Sequence, residues 1–274
     1  MKKIRLPINF SFFKKIFLDR KWSIITYSMI VAIYGVLMIA MFPSFKESNI
    51  DFEELFKAYP KAFIEAFGIN VNSFTTIEGF LSGEYFSLMW IIILGILAFS
   101  LGSRIVAGEV DKGTSEFSFT LPLRRMKLVL SKFTASYVIL LIIVFISLLS
   151  VGLGIHGINE NPRVKGLIVM FLVGAVLSFF LLAFATAVSS LLGSKGKVYG
   201  VCGGFLLISY MLHIFNGISA RAADFYFLSF FKYYGSPDKI LLTAEITGKN
   251  IAVFLIAGIV LLVFSLIMAE KRDL

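Results

Sequence analysis

Six stretches of 19 to 26 residues contain no Asp, Glu, Lys or Arg, and every charge of this 274-residue chain falls between them. They are Trp22–Phe42, Tyr85–Ser103, Phe133–Ile155, Leu167–Leu192, Val198–Ala220 and Asn250–Ala269. About 20 apolar residues rising 1.5 Å each cross a hydrocarbon layer roughly 30 Å thick. In lipid a backbone must satisfy its own hydrogen bonds, and a helix does so within one segment. The expected architecture is an all-α membrane protein of six spans in a single domain, 1–274. Only 16% of the residues are charged, and mean hydropathy is +0.89. The single Cys202 lies inside the fifth stretch, so no intrachain disulfide is available.

The net charge of +9 is explained by topology rather than by nucleic acid, which is not an expected partner. Seven basic residues precede the first span, and loop 104–132 carries six more. Loop 43–84 reverses the balance, with three basic and seven acidic residues. Basic residues favour the cytoplasmic side, which places both termini and loop 104–132 inside a cell membrane, and loop 43–84 outside.

Before the first span, Phe10, Phe13 and Phe17 recur at helical spacing beside Lys14 and Lys15. The pattern suits an interfacial helix within 1–21, with rings toward acyl chains and ammonium groups at headgroups; a basic stop that only sets topology is the alternative. In loop 43–84, Phe52, Leu55, Phe56, Tyr59, Phe63 and Phe67 fall at spacings of three and four, predicting one or two amphipathic helices bent at Pro60. They rest on the membrane surface, cap the span bundle or hold a ligand.

Loop 104–132 is tightly punctuated. Gly113 is a candidate end for the second span's helix. Pro122 suits only a helix start, with Thr120 as its cap. Between them Thr114–Thr120 has room for about two turns. Phe117 and Phe119 on so short a segment call for a partner surface or for lipid.

The run Glu109, Gly113, Thr114, Glu116, Pro122, Arg124, Arg125 resembles the loop between spans two and three of type-2 ABC transporter permeases, of the export type and the bacitracin-export-like branch. There a membrane-proximal Glu, a Gly-Thr-x-Glu run and a Pro-x-x-Arg pattern mark the region that couples to the ATPase. The resemblance implies a short cytoplasmic coupling helix received by a separate ATP-binding subunit, with Phe117 and Phe119 as apolar anchors and Glu109, Glu116, Arg124 and Arg125 as charged contacts. It also implies a second permease chain, identical or homologous, and ATP and Mg held on the partner rather than here.

Between spans five and six, Phe225, Tyr226, Phe227, Phe230, Phe231 and Tyr233 crowd together, and Ser236-Pro237-Asp238 reads as a helix start. A broken, re-entrant-like outer segment or an aromatic belt on a wet loop fits this composition. Gly200 and Gly204 allow close helix approach, within one bundle or between two. The spans hold no acid or base besides His213 and, at a span end, His156, which leaves no ion relay and no catalytic set. No phosphate-cradling Gly-x-x-x-x-Gly-Lys-Ser/Thr is present. The chain is therefore not expected to be an enzyme. Its expected role is the permease subunit of an ATP-driven exporter of a hydrophobic or amphipathic compound. The alternative is a non-transporting sensor or scaffold working through loop 43–84.

Overall fold

The computed structural model describes residues 10–47, 75–111, 125–218 and 224–271, with side chains from Lys15 onward. The predicted helices of Phe52–Phe67 lie outside these residues, as do Gly113, Thr114, Glu116, Phe117, Phe119, Pro122 and Arg124. The side chains of Phe10, Phe13 and Lys14 lie outside them as well.

The described residues form helices joined by turns, and six of these helical segments are long and apolar enough to cross a membrane. The first, α1 (Phe10–Glu47), runs 38 residues, about 57 Å. The expected interfacial helix is thus not a separate element. From Phe10 to Phe42 Gly35 is the only Gly or Pro, so nothing in the chain interrupts the helix. Phe17 also departs from a lipid-facing role, since it packs with Ile16 against the buried core.

The second span is longer and less regular than its charge-free stretch. It begins with α2 (Ile77–Leu81), passes through a π-helical turn (Ser82–Phe86), and continues as α3 (Met89–Ser103). Thr76 caps α2 by accepting the Gly79 N–H at 3.2 Å. In the π turn the Ser87 N–H reaches back five residues to the Ser82 carbonyl at 2.9 Å, and Ser87 Oγ donates to the same oxygen at 2.6 Å. The early start brings Glu78 into the bundle, 7% exposed, so a carboxylate does enter the spanning helices. Its Oε1 sits 3.0 Å from Arg163 Nε, which supplies the charge that burial demands.

The remaining spans are α5 (Arg125–Gly157), α6 (Val164–Leu191), α7 (Lys195–Ile218) and α10 (Gly248–Lys271), with the one-turn helix α4 (Ala107–Val110) ahead of α5. Span α6 lies at the centre, packing on α3, α5, α7 and α10, while α1 rests chiefly on α5. Oil against oil supplies no driving force in a bilayer, so close fit must hold these helices together. A Cβ on Gly102 would lie 2.5 Å from Ala185 Cβ, and one on Gly174 would lie 2.4 Å from Trp90 Cη2. Both glycines mark close approaches between spans.

A buried polar chain adds direction to this packing. Trp90 Nε1 donates to Ser147 Oγ at 2.7 Å, and Tyr85 donates to the Val31 carbonyl at 3.0 Å. With its own proton so engaged, the Tyr85 oxygen accepts from Ser147 at 3.0 Å. Three spans are tied by one fully satisfied series.

The segment between spans five and six is a row of short pieces: a 3₁₀ turn (Tyr226–Leu228), α8 (Phe231–Tyr234) and α9 (Pro237–Thr243). Pro237 opens α9 as the sequence indicates. The segment packs into the bundle's end: Tyr234 donates to the Phe86 carbonyl at 3.0 Å, and Ser229 to the Ser209 carbonyl at 2.7 Å. Burial pushes the Tyr234 phenol well above its usual pKa, so it remains a donor at physiological pH. His213 Nδ1 lies 3.0 Å from the Tyr226 hydroxyl and its ring stacks on Phe231, which makes it a half-buried packing side chain.

Candidate functional site

The helix of the second span does not run to Gly113. It stops at Ser103, turns through Arg104–Val106, and resumes for one turn as α4. No Gly or Pro in Arg104–Val106 forces this break. Its cause lies 83 positions along, in α6, where one side chain takes over the freed backbone groups. Ser189 Oγ accepts the Ala107 N–H at 2.9 Å and the Val106 N–H at 3.4 Å, and donates to the Ser103 carbonyl at 3.1 Å. A Cβ on Gly108, inside α4, would meet Arg104 Cβ and Lys195 Cε at 3.2 Å, which shows how tightly this turn is seated.

Two charge pairs fix the stretch further. Glu109 Oε1 pairs with Lys132 Nζ of α5, with both side chains largely shielded from solvent. Asp111 Oδ2 accepts the backbone N–H of Lys195 at 3.0 Å, at the first residue of α7, and lies 3.9 Å from that residue's Nζ. A carboxylate at the first turn of a helix meets its unpaired amides and the positive end of its dipole. The eight residues Arg104–Asp111 are therefore tethered to α5, α6 and α7 at once, immediately before 112–124.

Of the residues expected to couple to a partner, Glu109 and Arg125 are described. Glu109 faces Lys132 inside the bundle rather than outward, and Arg125 opens the described part of α5. Lys15, from the expected interfacial helix, lies close enough for its charge to act on Lys132, so the start of α1 shares this corner. Among the described residues nothing packs on Gly200 or Gly204: a Cβ on either would find no described heavy atom within 4 Å.

Ser189, Asp111 and Lys195 organise the site without standing out in sequence, whereas Lys132 closes the run that resembles the permease loop. Ser189 is one of two serines ending an apolar run, a polar residue where lipid offers it nothing. That anomaly was its only signal. Among the described residues no three His, Cys, Asp or Glu side chains gather where a metal could bind. What the described residues assemble here is a mechanical joint of one hydroxyl and two charge pairs.

Compared with curated proteins, the chain gives no match. Residues 13–274 match a family model described as ABC-2 family transporter protein, which spans almost the whole chain. With its six spanning helices, the chain belongs to the ABC-2 transporter family and is a multi-pass membrane subunit of an ABC transporter.

Proposed function

We propose that this chain is the permease half of an ATP-driven exporter, of the branch similar to bacitracin exporters, moving a hydrophobic or amphipathic compound outward. The observation that carries the reading is the triple tether of Arg104–Asp111, which leads directly into 112–124. A segment docked in a groove of an ATP-binding subunit transmits force only if both its ends are held, and here one end is bound to three spans. Phe117 and Phe119 are the anchors in that groove, following the dominance of buried aromatics at interfaces. ATP and Mg reside on the partner, and both termini share its cytoplasmic side.

A second permease chain completes the transporter. The face of α7 that carries Gly200, Gly203 and Gly204 has room for a close helix, since a Cβ on any of the three would meet none of the described residues within 4 Å. Purification of the tagged chain with its ATP-binding subunit, followed by reconstitution, tests the reading. The expected result is ATP-dependent export that Phe117→Ala with Phe119→Ala abolishes. Uphill transport by the chain alone, or full coupling in that double variant, would refute it.

A further inference from the structure

At the end of the second span opposite Ser103, one arginine holds two distant elements together. Arg163 stands just ahead of α6, and its carbonyl accepts the Leu167 N–H at 3.1 Å, which fixes its base. From there Nε sits 3.0 Å from Glu78 Oε1 on α2, and Nη1 donates to the Leu242 carbonyl of α9 at 2.8 Å. The pair borders a small cavity whose other walls are Leu81, Val151, Ile155, Leu167 and Leu241. Leu241 is the contribution of α9, so this helix closes one side.

The backbone makes α9 a separate piece. Its seven residues lie between Gly235 and Ala244, both of positive φ at 85° and 57°. Ala244 carries a Cβ that disfavours this left-handed state, so the closed position stores strain at that residue. What holds α9 down is unequally placed. The Arg163 side chain is 54% exposed and can withdraw into water, whereas that of Glu78 is 9% exposed and cannot. Withdrawal would strand a buried carboxylate, which demands water, and the adjoining cavity is where that water can enter. A buried ion pair adds little over apolar residues of equal volume, and switching is among its best-attested uses. The connection before α6 has a second tie, Glu160 to Lys46 of α1 at 2.7 Å, but both partners are exposed and hold weakly.

We propose that Arg163 is a releasable clasp. Engaged with Glu78 and Leu242 it holds α9 shut over the cavity; released, it admits water between α2, α5, α6 and α9. The clasp needs only this chain, and its test uses neither nucleotide nor ATPase, so failure here leaves the coupling proposal standing.

Leu81→Cys places a reporter thiol in the cavity wall of the full chain, with Cys202→Ser removing the native thiol. Its rate of modification by a charged methanethiosulfonate reports opening. Glu78→Gln with Arg163→Gln removes both charges and strands neither, so the unfolding midpoint should stay in place while modification becomes about tenfold faster. Arg163→Gln alone, which strands the carboxylate, should raise the rate at least as far. Lys46→Gln breaks only the exposed pair and is the control that should leave the rate unchanged. An unaltered rate in either Arg163 variant would overturn the clasp. A faster rate in the glutamine pair matched by a lowered midpoint would mark a static brace and overturn it too. An equal acceleration in Lys46→Gln would show general loosening of this end, which is not release by Arg163, and would likewise overturn it.

Discussion

Lys132 of the third span reaches Glu109 just past the second, and the two charges neutralise each other in a corner that water scarcely enters. Removing one partner leaves the other ion without compensation, whereas removing both leaves only a change of shape. Lys132→Met alone should destabilise the protein by about 3 kcal/mol, and Glu109→Gln alone by a similar amount. Lys132→Met combined with Glu109→Gln should cost clearly less than the sum. Thermal unfolding of the four proteins in one detergent measures the coupling. Additive losses would show that the pair does not act as a unit.

Ser189 makes three hydrogen bonds across the break between α3 and α4. Ser189→Ala strands two amides and a carbonyl, costing about 1–3 kcal/mol. Hydrogen exchange should rise at Val106 and Ala107 before it rises elsewhere. Unchanged protection at those two amides would contradict the assignment.

Ser147→Ala breaks the series from Trp90 to Tyr85 but leaves the Tyr85 bond to Val31 intact. Only the Trp90 indole N–H loses its partner, so the loss should be about 1 kcal/mol, small because membrane hydrogen bonds are worth little individually. A drop several times larger in unfolding experiments would mean that the series holds the three spans far more strongly than its bonds account for.

Gly166 approaches the backbone of α9, and a Cβ there would lie 2.2 Å from the Leu241 carbonyl oxygen. A backbone atom cannot swing aside as a side-chain tip does, so Gly166→Ala should cost about 1–3 kcal/mol. Gly200→Leu, on the open face of α7, should leave the stability of the single chain unchanged and weaken self-association. Unfolding temperatures and sedimentation read the two effects separately. A destabilised Gly200→Leu monomer would contradict the open face.

The spans were legible because charge is excluded from lipid so sharply that its absence marks each one. The start of α9 at Ser236-Pro237 was equally plain, since proline at a first helical turn is a local matter. Helix ends controlled from a distance were not legible. Nothing in Arg104–Val106 distinguishes it from helix, and the interruption depends on a hydroxyl 83 positions later. Glu78 was hidden for the opposite reason: a charge was taken to end the span, whereas Arg163 allows the helix to carry it inside. The start of α1 was read as amphipathic, but pattern alone could not tell a helix lying flat from one continuing straight into the bundle.

A linkage fastened at one point pivots, and one fastened at two still hinges about the line between them. Three fastenings out of line leave no axis free, so the Ser189, Lys132 and Lys195 contacts convert Arg104–Asp111 from a flexible strap into a bracket. Any torque applied further along is shared by three columns from its first instant, rather than absorbed by the first one it meets.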